Sequence, residues 1–289
     1  MLSQSIAKLH NLHIKSNSLL LSPPTLIGLH GLCGSHNNFR SLCFNEKISN
    51  LVQSYLLDLR NHGKSQHKNS MNIEEMAEDI QNFVLEKKLN DVVIMGHSLG
   101  GKIAMSLATN PNFQEIQKRI KGIIIIDVSP VNYMEKMKKG FTIDNDHNLE
   151  MFKKINVIKL MNRDYIELKE EVIHACQNKN VGELMWTNIE YEKKNFKWRI
   201  NLPVIIEYYG RMLGHVPNEG HHFDGKLKIF KGEKSNYVKK EYLSDFKSFF
   251  PNFKYERDVV SFTDAGHWLH YEKPYEFLDK MNITLKEML

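Results

Sequence analysis

Asp91-Val-Val-Ile-Met-Gly-His-Ser98-Leu-Gly-Gly-Lys102 is the stretch that decides how this chain folds. Asp91 to Met95 is too short for a helix and apolar at almost every position, the pattern of a strand buried on both faces. Lys102 to Thr109 then continues at helical spacing. Between them, Gly96-His-Ser98-Leu-Gly100 follows the spacing G-x-S-x-G and must turn the chain from strand to helix within a few residues. In so sharp a turn, side chains two residues either side of the serine would collide with neighbouring backbone, so both places need glycine. The serine hydroxyl is left exposed, and the helix N-terminus that follows favours a developing negative charge. The flanking strand and helix favour a nucleophile here over a glycine-rich turn with an idle serine.

Outward from this turn the same alternation repeats. Pro23-Pro24 precedes a buried strand over Thr25 to His30, ended by Gly31, and Val52 to Leu59 is a second apolar run that enters the turn Asp58-Leu-Arg60-Asn-His62-Gly-Lys-Ser65. Asn72 is placed to cap a helix with Glu74 and Glu75 in its first turn and Ile73, Met76, Ala77, Ile80, Phe83 and Val84 on one face. Gly122 to Asp127, Leu227 to Phe230 and Asp258 to Phe262 read as further strands, with helices near Lys239 to Phe249 and from Tyr275 onward. Continuous hydrophobicity points to a mostly parallel sheet flanked by helices, an α/β architecture. Residues 6 to 21 are expected to form an opening hairpin of that sheet. From Pro130 to about Gly220 Lys, Met, Asn and Glu dominate and no clear strands separate the amphipathic pieces. The expected organisation is a core of residues 1–130 and 221–289 interrupted by a helical lid, residues 131–220.

Composition narrows the class. Hydrophobic residues are 42% and charged residues 25% of 289, close to ordinary globular values, which excludes global disorder. The net charge of +5 is spread among interspersed Lys and Asp/Glu, giving a mildly basic solvated surface and no nucleic-acid footprint. Cys33, Cys43 and Cys176 form neither a paired nor a metal-ligand spacing, which fits a reducing, intracellular compartment with the cytoplasm as the first expectation. The first acidic residue is Glu46, so an organellar, for instance mitochondrial, transit segment is the alternative. No stretch approaches the roughly 18 apolar residues of a membrane span. No cofactor and no metal are expected.

A serine of ordinary pKa needs a base within hydrogen-bond reach. Among 14 histidines, His267 stands out because Gly266-His267-Trp268 follows the last expected strand and precedes the last helix. Serine well before histidine is also the chain order of α/β-hydrolases. His270 and the pair His221-His222 compete less well, as surface or lid residues. The third member should be a buried carboxylate that holds the imidazole tautomer. In most proteins of this fold it follows the strand that here spans Leu227 to Phe230, but the expected position holds Ser235, with Glu233 two residues early. Asp127, at the carboxyl end of the preceding strand, is preferred to Glu233, and Asp264 is read as a loop residue. The backbone N–H groups of Leu32, just after His30-Gly31, and of Leu99, just after the nucleophile, are the candidate oxyanion donors.

Taken together, the sequence resembles the esterase branch of the α/β-hydrolase superfamily, which holds small bacterial esterases and a mitochondrial α/β-hydrolase domain-containing protein. The resemblance rests on Leu29-His-Gly-Leu-Cys-Gly-Ser35, Asp58-Leu-Arg-Asn-His-Gly-Lys-Ser65, Gly96 to Lys102, Ile126-Asp-Val-Ser-Pro130, Trp198-Arg-Ile-Asn-Leu202 and Ala265-Gly-His-Trp-Leu-His-Tyr-Glu-Lys-Pro274, in family order along nearly the whole chain. It implies an α/β-hydrolase fold with a helical lid, no metal, and cleavage of a small-molecule carboxylic ester or thioester through an acyl-enzyme on Ser98. It also implies that Asp127 is a triad position; Arg60 and His62 match a family motif near the site and are read here as structural. Departures are the Lys/Met-rich lid, Lys231-Gly-Glu-Lys where relatives tend to have Gly-Gly-Asn, and Leu99 where Met is common. Met134, Met137, Met151, Phe152, Met161, Met185 and Trp186 are either an apolar acyl pocket or plain packing. Dehalogenases and epoxide hydrolases carry Asp at the elbow, and Ser98 excludes them. The alternative to an enzyme is a hydrolase-fold protein that binds a ligand or partner without turnover.

Overall fold

The computed structural model describes residues 6–142, 148–192, 195–218 and 220–289. Its centre is a seven-stranded sheet in the order β1-β3-β2-β4-β5-β8-β9. The strands are β1 (Asn11–Ile14), β2 (Thr25–Leu29), β3 (Gln53–Leu57), β4 (Val92–His97), β5 (Ile120–Ile126), β8 (Lys226–Gly232) and β9 (Val259–Phe262). β1 pairs antiparallel with β3, and every other pairing is parallel. The intervening β6 (Ile189–Glu192) and β7 (Asn195–Trp198) form a separate hairpin.

The apolar runs of the central strands explain their position. Alternate residues serve opposite faces, so Ile27, Ile94, Ile123 and Ile125 join one core with the helices Ile73–Glu86 and Leu99–Thr109. Leu26, Val93, Met95, Ile124 and Ile126 join another under the helix Pro274–Met288. Asn72 starts the helix Ile73–Glu86 as expected, its N–H bonded to Glu75 Oε2 at 3.0 Å. Arg60, fully buried, makes a two-pronged contact with Asp79 of that helix (Nε–Oδ2 2.6 Å, Nη2–Oδ1 2.8 Å), which ties the turn after β3 to the helical layer.

Two expectations are corrected. Residues 6 to 21 do not form a hairpin: only β1 joins the sheet. After it, Ser16 and Asn17 bond to Ser49, Leu19 and Leu21 stand fully exposed, and Pro23-Pro24 offers no N–H to a ladder. The segment between β5 and β8 is helical, with the helices Tyr133–Lys138, Asn148–Asn156, Tyr165–Cys176, Lys179–Trp186 and Leu202–Gly214, but it also contains the β6–β7 hairpin. Ile189 pairs with Trp198 and Tyr191 with Phe196, so the apolar residues alternate with Glu and Lys at a period of two. That short alternation is masked by the charged residues around it. Among the described residues no helix is long and apolar enough to cross a membrane.

Candidate active site

The loops after β2, β4, β5, β8 and β9 converge at the carboxyl ends of the parallel strands, where open α/β sheets gather their reactive groups. Ser98 stands between β4 and the helix Leu99–Thr109, as the sequence predicts, with φ 51° and ψ −111°. This left-handed conformation costs a non-glycine residue about 1–3 kcal/mol and holds the hydroxyl off the strand's end. The flanking glycines are what admit it: a Cβ on Gly96 would lie 2.2 Å from the Gly100 carbonyl oxygen, and one on Gly100 2.3 Å from that of Leu29. The helix begins at Leu99, three residues before the expected Lys102, because Ser98 O already accepts the N–H of Gly101 and of Lys102.

Asp127 leaves β5 in the same fashion, with φ 52°, and its side chain is fully buried. Its Oδ2 accepts the Nδ1–H of His267 at 2.8 Å, its Oδ1 accepts the Gly232 N–H at 3.1 Å, and the Ser235 hydroxyl donates to Oδ2. Burial pushes the Asp127 carboxyl well above the usual carboxylate range, and the donors from Ser235 and Gly232 oppose that rise. With Asp127 accepting at Nδ1, the proton of neutral His267 sits on Nδ1 and Nε2 remains an acceptor. The imidazole is only 6% exposed and stacks on Tyr237 at 4.1 Å between ring centres, while its backbone carbonyl accepts His97 Nε2–H at 2.9 Å. Burial lowers the pKa of His97 well below its ordinary value, which keeps that ring neutral.

Other candidates lie elsewhere. Glu233, His221 and His222 are exposed, and Asp264 pairs with Lys234 on the surface. His270 packs on His97 and Phe277 behind the site. Ser235, passed over in the sequence because it cannot carry charge, occupies the expected acid position and serves the Asp127 carboxylate instead. Lys102, which the sequence marks only as the start of a helix, has a buried Nζ that donates to the carbonyls of Val131 and His215, at the two ends of the helical segment, and burial lowers its pKa to about 7.

Ser98 and His267 face a cavity whose core wall includes Leu32 and Leu99 and whose opposite wall comes from Met151, Phe152, Met185 and Met212. Of the seven Met and aromatic side chains singled out in the sequence, Met151, Phe152 and Met185 line it, whereas Met134, Met137, Met161 and Trp186 do not. The N–H groups of Leu32 and Leu99 donate to no backbone carbonyl among the described residues. His10, His36 and Asp58 have ligand-type atoms within 4.8 Å of one another. The Asp58 carboxylate there already accepts the His36 N–H, the His36 ring and the Lys64 N–H, which serves the loop's own structure.

A family model described as alpha/beta hydrolase fold matches residues 24–154. A probable alcohol acetyltransferase of Saccharomyces cerevisiae is 31% identical over 277 residues, covering 88% of this chain and 74% of that protein. The chain belongs to the α/β-hydrolase fold family. This α/β-hydrolase is also 27% identical over 266 residues to the mouse protein named sn-1-specific diacylglycerol lipase ABHD11, covering 91% of this chain and 81% of that one. A solved structure, a marine microorganism esterase, superposes with a TM-score of 0.80 at 28% identity over 98% of this chain and 99% of the other. Relatives named esterase and lipase support carboxylic ester hydrolase activity for this α/β-hydrolase.

Proposed function

We propose that the chain is a serine hydrolase that cleaves carboxylic esters or thioesters through an acyl-enzyme on Ser98, with His267 as general base, Asp127 as the triad acid and residues 131–220 as a lid. The observation that carries this reading is the bond between buried Asp127 and His267 Nδ1, which leaves Nε2 as the acceptor on the cavity that Ser98 also faces. Ser98 Oγ attacks the acyl carbon as Nε2 takes its proton, and Asp127 stabilises the imidazolium that forms. The carbonyl oxygen becomes an alkoxide held by the N–H groups of Leu32 and Leu99. Collapse breaks the ester or thioester bond, and Nε2 gives its proton to the departing alcohol or thiol. Water, deprotonated by His267, then attacks the acyl-enzyme; the acid leaves and Oγ regains its proton. Met151, Phe152, Met185 and Met212 make the far wall apolar, which suits an acyl chain. The names of the mouse and yeast relatives fit the same acyl-enzyme, and the yeast name favours an alcohol as a second acceptor in place of water.

Hydrolysis of p-nitrophenyl esters with two to sixteen acyl carbons by wild type and Ser98→Ala tests the proposal. Turnover by wild type and a loss of about a thousandfold or more in Ser98→Ala is expected. Equal rates from the two proteins at every chain length would refute it and favour a binding protein. Activity peaking at short chains identifies a tight pocket, and activity confined to long chains a lipid or acyl-thioester substrate.

A further inference from the structure

We propose that Asn188, a residue of the inserted segment, is a positioning residue for the oxyanion hole, acting on Leu32 N–H through two successive peptide planes. The inference rests on the proposed role of Leu32 as an oxyanion donor. Asn188 is buried, at 3% exposure, and its Nδ2 donates to the Cys33 carbonyl at 2.7 Å and to the Leu184 carbonyl at 3.1 Å. Its backbone is fixed on both sides: its N–H donates to Met185 O at 3.0 Å and its carbonyl accepts the Arg199 N–H at 2.7 Å. The side chain therefore reaches across 155 residues of sequence from a rigid base.

The Cys33 carbonyl and the Gly34 N–H belong to one planar peptide. That N–H donates to Gly31 O at 2.9 Å, and Gly31 O shares its peptide with Leu32 N–H. Because a trans peptide points its N–H opposite its C=O, fixing Gly31 O fixes the direction of Leu32 N–H, and each bond in such a chain polarises the next. Two imidazole rings on the core side, one donating and one accepting, finish the arrangement. His30 Nδ1–H also donates to Gly31 O at 2.7 Å, and His62 Nε2 accepts Cys33 N–H at 3.1 Å. Cys33 is a non-glycine residue at φ 59°, a conformation that persists only where its surroundings over-determine it. His62 holds its N–H and Asn188 its carbonyl. The core supplies His30 and His62, but among the described residues it is Asn188 of the inserted segment that supplies the bond to Cys33 O. The oxyanion hole is thus complete only with that segment docked.

The test compares p-nitrophenyl butyrate kinetics and trifluoromethyl ketone inhibition for wild type, Asn188→Ala, Asn188→Leu and Ser98→Ala, with thermal melting of each. Leu keeps the volume and cannot donate. Both Asn188 variants are expected to lower kcat by about tenfold to a hundredfold with KM changed less than threefold, and to weaken the ketone, whose adduct carries an oxyanion, by the same factor as kcat/KM. Asn188→Leu turning over within twofold of wild type, or a loss carried by KM alone, would overturn the inference while Ser98-dependent hydrolysis leaves the proposed function standing. Hydrolysis that does not depend on Ser98 would overturn both. One readout needs no variant: amide hydrogen exchange at Gly34 in the wild type should be protected, and exchange as fast as an exposed amide would refute the bond chain.

Discussion

The strand ends and the inserted segment of this molecule are held together by different physics. At the strand ends, backbone collisions and directed hydrogen bonds leave little slack. Gly96 and Gly100 tolerate no side chain, Ser98 and Asp127 sit at positive φ, and the Asp127 carboxylate meets three donors. The inserted segment is instead assembled by apolar packing of helices and one hairpin. Its ion pairs, such as Lys169 with Glu183 and Lys197 with Glu190, are partly open to solvent and so add little. Geometry fixed by sterics suits groups that must be placed to within a fraction of an ångström, whereas packing between side chains tolerates exchange and suits a wall that shapes a substrate.

The sharpest way to break this contrast lies at the strand ends. Asp127→Asn is expected to lower kcat by about a thousandfold to ten-thousandfold, because the imidazole loses both its tautomer and its counter-charge. Glu233→Gln, at an exposed side chain, should stay within about twofold. Steady-state kinetics of the two variants checks this, and the reverse ranking would move the acid to Glu233.

A smaller effect is expected from acid. Burial lowers the pKa of His62 to about 3 from an ordinary 6.5, since its Nε2 must stay unprotonated to accept Cys33 N–H. The unfolded chain therefore binds the proton that the folded one refuses. The stability that this one ring contributes is fully present above pH 6.5 and is lost as the pH falls from there toward 3, by about 1.4 kcal/mol per pH unit, or about 2 kcal/mol at pH 5. Urea unfolding at pH 7.5, 6 and 5 measures it, and His62→Gln should show a correspondingly shallower dependence. An unchanged slope would mean that the ring titrates freely in the fold.

The mildest change belongs to the inserted segment. Met185→Ala enlarges the cavity wall without touching Ser98, His267 or Asp127. The ratio of kcat/KM for a long over a short p-nitrophenyl ester should rise about fivefold to tenfold, with turnover of the short ester kept within about threefold. A uniform loss at all chain lengths would show that Met185 matters to the chemistry and not to selection.

Legibility in the sequence follows the same division. The buried strands were readable because parallel strands covered on both faces are apolar throughout, and the serine turn because two glycines at fixed spacing answer a local collision. The β6–β7 hairpin was not, because four-residue strands alternating Ile, Tyr, Phe and Trp with Glu and Lys read like the charged helices around them. The hairpin expected over residues 6 to 21 reduces to the single strand β1, because Leu19, Leu20 and Leu21, though apolar, stand exposed and pair with no strand among the described residues.

Sequence alone determined the strand–turn–helix with Ser98 at its tip, the order of serine and histidine, and an α/β sheet with an insertion, since each is built from local motifs and short apolar runs that can be recognised one at a time. Tertiary structure decided that Asp127 lies 2.8 Å from His267 across 140 residues, that Ser235 and Gly232 donate to it, and that Asn188 reaches the loop bearing Leu32. Those contacts are set by how strands stack and by where the inserted segment docks. Their energy comes from burial and pairing between distant residues, which leaves no periodic or local trace in the order of amino acids.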